Sequence, residues 1–413
     1  MKPEQIDLTD LDFFVNGDVN GAFRVLREQD AVHWQERQPG RGFWSLTRYD
    51  DVVACYRDTD NFSSEGGVTL FFGDPGMGPK MGSMMILVDP PRHPKMRQLV
   101  SYRFTPRAIA AYEPRVMQIV TEIIDSVIEK GECDFVVDIA ARMPTATICE
   151  LMGISREHWP MLFANANETV GRHDEEYARG RTGRETFRDA QATATQFFMQ
   201  EIEKRRRNPT DDLISALAHG SIKGDALSLG EMVANCWVLV LGGQETTRNA
   251  TSGAMLAMIE HPEERAKFAA NPSSTAAIEE FLRWTSPVTH MMRTAKCDVE
   301  IQGRKIKAGQ HVVLWNVSAN RDESQFEDPD RFDLARDPNE HVAFGHGEHF
   351  CLGAHLARLQ MRLMLGEVVR RIPDLELAAP VERLRSNFIA GIKHMPVRFT
   401  PRAASEGATA AAK

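Results

Sequence analysis

Apolar residues recur at helical spacing through residues 229–259, and a pattern of that length commits the chain to an architecture built around a long helix. The same period returns at Val116, Ile119, Val120, Ile123, Ile124, Val127 and Ile128, which stop before the terminator Gly131. It returns again through residues 190–205, 276–285 and 354–371. Strand signals cluster at two places. Residues 32–35 and 43–47 flank a Pro-Gly turn, and residues 299–301, 305–306 and 311–314 surround Gly303 and Gly309. The expected fold is mainly α with small β-sheets.

With 413 residues the chain can bury a substantial core, and no fixed-period repeat or low-complexity linker marks an internal boundary. Residues 1–402 are therefore expected to form one large domain, and residues 403–413, rich in Ala, Ser and Gly, a frayed tail. A formal net charge of −9 argues against a nucleic-acid partner. The six cysteines lie far apart without a disulfide-like framework, which fits a reducing, cytoplasmic setting. Residues 1–14 lack the flank of a secretion signal, and the longest apolar stretch, 236–241, is too short to span a bilayer, so no membrane association is expected.

The run Phe344-Gly345-His346-Gly347-Glu348-His349-Phe350-Cys351-Leu352-Gly353 sets one cysteine in a glycine-rich loop just before a helical pattern. Glycines let the backbone fold tightly beneath a flat ligand, and the unpaired N–H groups of a helix start stabilise a thiolate. Two other readings are a small buried cysteine and a zinc cluster of His346, His349, Cys351 and His355. No C-x-x-C occurs in the chain, which weighs against zinc.

Inside the long helix, Gly242 and Gly243 each cost about 1 kcal/mol relative to alanine, so they call for a reason such as a flat ligand lying close. The residues that follow, Glu245 and Thr246, can bond to backbone and hold water. Glu280 and Arg283 share a helix face, as do His93 and Arg97, spacings that usually mark solvated pairs.

In this order the motifs resemble the cytochrome P-450 family, over residues 44–399. The resemblance implies a single domain enclosing haem b between the long helix and the cysteine loop, with Cys351 as the iron's thiolate ligand. Phe344, Gly345, Gly347, His349 and Gly353 match the rest of the ligand loop, and Gly242 and Gly243 would lie against the haem. Glu245 and Thr246 match an acid–alcohol pair that relays protons toward dioxygen. His93, Arg97, Arg293 and His349 match propionate partners. Glu280 and Arg283 match a structural E-x-x-R pair completed by Arg331. Gln244 departs from the apolar, His or Asn residue of many relatives, and would alter the water network or reach the distal pocket. Lys95 and Met96 depart from a commonly more basic helix.

The family activity would insert one oxygen atom into a bulky lipophilic molecule, such as a steroid, a terpenoid, or a polyketide or carrier-bound intermediate. Electrons would come from a ferredoxin-type donor with its reductase, since no G-x-G-x-x-G follows a strand. That donor is expected to dock near Arg103, Arg358 and Arg362, on a monomer. The distal pocket is expected to draw on Val68, Met84, Met85, Phe163, Leu239, Val288, Met291, Met292, Phe388 and Ile389, within segments 68–85, 163–170, 239–243, 288–292 and 388–389. Alternatives are a peroxide-driven haem-thiolate enzyme and a haem-based sensor.

Overall fold

Thr105, Thr182, Ser228 and Ser274 each cap a helix that frames the site. The computed structural model of the chain describes residues 1–70, 84–222 and 224–404. Residues 71–83 of the expected pocket segment and 405–413 of the expected tail lie outside the described residues. The framing helices are α1 (Arg92–Ser101), α2 (Pro106–Ile128), α3 (Arg142–Leu151), α4 (Trp159–Val170), α5 (Gly183–Arg207), α6 (Leu229–Glu260), α7 (Thr275–Thr285) and α8 (Ala354–Arg371). The Ser228 hydroxyl accepts from the Glu231 N–H while Glu231 reaches back to the Ser228 N–H, a reciprocal cap that starts α6. Thr105 caps α2, and Pro106 occupies its first turn where no N–H is needed. The pattern beginning at Val116 sees only the second half of α2, because Pro114 interrupts its reading without ending the helix.

Met232, Cys236, Trp237, Val240, Ala254, Met255 and Met258 are all buried, so α6 has apolar residues around most of its circumference. It is enclosed by α3, α4, α5, α7 and α8. Each large side chain in that core contributes about 1.5–3 kcal/mol of transfer energy.

Five strands form the main sheet: β1 (Val32–Gln38), β2 (Arg41–Leu46), β3 (Phe62–Ser63), β4 (His290–Ala295) and β5 (His311–Trp315). Their order is β1-β2-β5-β4-β3, antiparallel except for β2 beside β5. The β1–β2 turn contains Gly40 at φ 72°, the left-handed conformation that favours glycine. Alternation along β4 puts Met291 and Arg293 on one face and His290 and Met292 on the other. Among the described residues no helix is long and apolar enough to cross a membrane.

Candidate active site

The loop before α8 turns through two glycines in the left-handed region, Gly345 at φ 68° and Gly347 at φ 67°. A side chain at Gly347 would strike the Tyr56 carbonyl oxygen at 2.7 Å, so this glycine lets the loop pack on the helix Tyr49–Arg57. The Cys351 N–H donates to the Phe344 carbonyl at 3.0 Å. Arg358 of α8 covers the Phe344 ring at 4.6 Å and bonds Glu279 of α7 at 2.6 Å, tying the loop to two helices. Burial pushes the Cys351 thiol up, whereas the Gly353 N–H and the charges of Arg97 and Arg358 pull it down. Those groups favour the thiolate that a metal ion binds. His346, His349, Cys351 and His355 do not converge. Among the described residues the one group of such side chains close enough to share an ion is Glu176, Glu382 and His394, so the zinc reading fails.

Beside the cysteine, four basic side chains from three elements meet. The His93 and His349 rings lie 4.0 Å apart, and Arg293 and Arg97 act on both imidazoles. Burial and these positive neighbours push His93 down to about 4 and His349 to about 2. Arg293 is 3% exposed and donates to the Met292 carbonyl, while its guanidinium lies over the Tyr56 ring. His93 Nδ1 is buried without a hydrogen-bond partner among the described residues. Such a cluster suits anionic groups such as carboxylates.

On α6, a methyl group added to Gly242 meets no other atom of the described residues within 4 Å, and the same holds at Gly353 in the loop. Two glycines with open approach, a cysteine in a cradle and an unpartnered histidine fit a haem. Gly243 does not share this face: a side chain there would meet Ile148 Cγ1 of α3 at 2.9 Å. It permits close packing of α6 against α3, on a different side of the helix from Gly242. The rotation per helical residue is the reason.

Thr246 Oγ1 donates to the Gly242 carbonyl at 2.8 Å. Glu245 is 2% exposed, and burial raises its carboxyl while Arg248 lowers it. Arg248 Nη2 lies 2.5 Å from Glu245 Oε2, and Arg248 Nη1 bonds Asn167 of α4. The run Glu245-Thr246-Thr247-Arg248-Asn249 resembles family subgroups acting on steroids, terpenoids or carrier-bound intermediates, but no role for Arg248 or Asn167 was expected. The i,i+3 pairing could have signalled Arg248, but nothing local points to Asn167. Gln244 is buried against the Cys149 thiol of α3.

Glu280 and Arg283 are fully buried 2.7 Å apart, not a solvated pair. Arg283 also donates to the carbonyls of Asn320, Pro329 and Arg331. The second arginine at Glu280 is Arg336, whose Nε lies 3.2 Å from Oε2, and not Arg331, whose side chain is 64% exposed beside Asp333. The loop turns between the two positions, so Arg331 offers its carbonyl and Arg336 its charge.

Val68, Met84, Met85, Leu239 and Met291 pack with the core around α6, while Val288 bridges Ile389 and the Phe388 ring meets His290. Met292 departs from this set. Strand alternation sends it into a separate cluster with Phe23, Phe43 and Trp315. Phe163 departs too: its ring lies under Arg248 and lines a groove of about 390 Å³ between α2, α3 and α4. The three arginines expected to dock a partner are each paired, Arg103 with Asp211, Arg358 with Glu279 and Arg362 with Glu113.

The family model Cytochrome P450 matches residues 176–373. A methyl-branched lipid omega-hydroxylase of Mycobacterium tuberculosis is 39% identical, covering 96% of this chain and 95% of its own length. A steroid C26-monooxygenase of Mycolicibacterium smegmatis is also 39% identical, covering 96% and 97%. The solved structure of Mycobacterium marinum cytochrome P450 CYP268A2 in complex with pseudoionone superposes with a TM-score of 0.91 at 34% identity, covering 96% of this chain and 98% of that one. Similarity at this level spans both the helical frame and the cysteine loop, so this chain belongs to the cytochrome P450 family and is a haem-thiolate monooxygenase.

Proposed function

We propose that this monooxygenase hydroxylates a bulky lipophilic small molecule of the steroid, terpenoid or polyketide-intermediate kind, with electrons from a ferredoxin and its reductase. The balance is R–H, dioxygen, two electrons and two protons going to R–OH and water. Haem b, when bound, supplies the redox-active iron at which dioxygen is reduced. Cys351 would hold it from one side, and His93, Arg97, Arg293 and His349 would anchor its carboxylates.

The observation that carries the reading is the buried acid beside an alcohol on α6. Thr246 spends its hydroxyl proton on the Gly242 carbonyl, which leaves its oxygen to accept a hydrogen bond and fix a proton-bearing water. Glu245, buried behind it, gathers protons for that water. Ordered delivery of both protons favours water over peroxide as the second product. A lipophilic substrate is supported by the apolar side chains of Val68, Met84, Met85, Leu239 and Met291, and by relatives named for a methyl-branched lipid and for a steroid. The electron donor would meet the surface over the cysteine loop, where Phe350 is 39% exposed. Six unpaired cysteines suit a cytoplasmic enzyme, and we expect it to act as a monomer.

Glu245→Gln and Thr246→Val, assayed with ferredoxin, reductase and a lipophilic substrate, should divert electrons from product to peroxide while keeping the reduced carbon-monoxide spectrum. An unchanged peroxide fraction in both variants refutes the relay. Turnover with peroxide but none with dioxygen and reductant would assign the protein to the peroxide-driven class.

A further inference from the structure

Glu245 is gripped by an arginine of its own helix that a second helix holds in place. Arg248 Nη2 donates to Glu245 Oε2 at 2.5 Å, and both side chains are 2% exposed. Arg248 is itself fixed by α4, because Nη1 donates to Asn167 Oδ1 at 2.5 Å and its guanidinium lies over the Phe163 ring at 5.8 Å. An arginine three residues along an isolated helix could swing among rotamers, but one bonded to a neighbouring helix cannot do so without breaking that bond. The consequence for the acid is asymmetry. Oε2 is engaged, whereas Oε1 is buried with no hydrogen-bond partner among the described residues. The charged and titratable groups facing this pair are Arg248 itself and Tyr177, which burial and the nearby Glu245 keep neutral against the pull of Arg248.

We infer that Arg248, anchored on Asn167 and Phe163 of α4, is a positioning residue that selects Oε1 of Glu245 as the oxygen handling protons and ties that choice to the placement of α4. The inference rests on Glu245 acting as the relay acid. It goes further by giving a role to the face of α4 that carries Phe163 and Asn167. A change in how α4 sits reaches the acid through one hydrogen bond and one ring contact.

The test uses the haem-loaded enzyme and the variants Asn167→Ala, Arg248→Lys, Arg248→Met and Glu245→Gln. Peroxide formed per electron pair is measured with the reduced carbon-monoxide spectrum as a check on the haem site. The infrared carbonyl stretch of protonated Glu245, identified by its loss in Glu245→Gln, is followed against pH in the resting enzyme. Asn167→Ala should lower coupled turnover by about tenfold, raise the peroxide fraction, and let the carboxylic acid band persist to higher pH than in the parent. Arg248→Met should show the same changes more strongly, and Arg248→Lys should recover part of the coupling. Should Arg248→Met fail to fold, Asn167→Ala and Arg248→Lys still decide the matter, since both retain a cation beside the acid. If Glu245→Gln uncouples while Asn167→Ala and Arg248→Lys keep the parent peroxide fraction and infrared titration, the positioning role is overturned and the relay stands. If Glu245→Gln itself leaves coupling unchanged, the relay falls and the positioning role with it.

Discussion

Arg336 Nε lies 3.2 Å from Glu280 Oε2, so one fully buried carboxylate faces an arginine on its own helix and another from a loop far along the chain. Asn339 Nδ2 and the Asp333 N–H bond the same carboxylate at 2.9 and 3.0 Å. Glu280 thereby fastens the segment leading into the cysteine loop to α7. Glu280→Gln, which strands the buried Arg283, should cost about 3–5 kcal/mol. Arg336→Ala should cost about 1–3 kcal/mol, and Arg331→Ala less than about 0.5 kcal/mol because its side chain is exposed. Denaturant midpoints read the ranking, and equal losses for the two arginine variants would contradict it.

Glu279 sets an acid limit on stability. Burial alone would raise its carboxyl, but hydrogen bonds from Arg358 and His341 win and hold it at about 2, against an ordinary 4.5. A depressed carboxyl contributes stability above its unfolded pKa and loses it as pH falls through the folded one. The contribution should therefore be complete above 4.5 and decline toward 2. Glu279→Gln should be less stable near neutrality by up to about 3 kcal/mol, with the difference from the parent shrinking below pH 4.5. Unfolding midpoints recorded against pH measure this, and a difference that grows with acidity would be the wrong sign.

Adjacent glycines on α6 should answer differently to alanine. Gly243→Ala forces a methyl against Ile148 at 2.9 Å, an overpacking of about 1–3 kcal/mol that Ile148→Ala in the same chain should relieve. Gly242→Ala meets nothing within 4 Å among the described residues and should stabilise the haem-free helix by about 1 kcal/mol. A haem filling that open space would meet the methyl, so haem uptake should weaken. Melting of the haem-free variants and haem titration separate the two effects.

Removing the sulfur should change colour before it changes fold. Cys351→Ala deletes one small, partly buried side chain from a loop that Arg358, Glu279 and the left-handed glycines still hold. Circular dichroism should stay near that of the parent, while the strongly red-shifted Soret band of the reduced, carbon-monoxide-bound protein should vanish. Retention of that band would remove Cys351 from the iron.

The helices, the cysteine loop and the acid–alcohol pair were legible in the chain because each depends on residues close in sequence. Caps such as Ser228 with Glu231, glycines 345 and 347, and the apolar period of α6 act over one or two turns. That range is enough to set the mainly helical fold and to place a cysteine in a glycine-turned loop ahead of α8. Other features depended on how elements pack. Whether Arg331 or Arg336 meets Glu280, whether Met291 or Met292 faces the helical core, and where Arg248 finds its anchor are choices among groups one or a few residues apart. Composition cannot make those choices, because a turn of a loop or a strand's alternation reverses the outcome at no local cost. Tertiary packing makes them, since only it decides which buried charge has a partner and which is left without one.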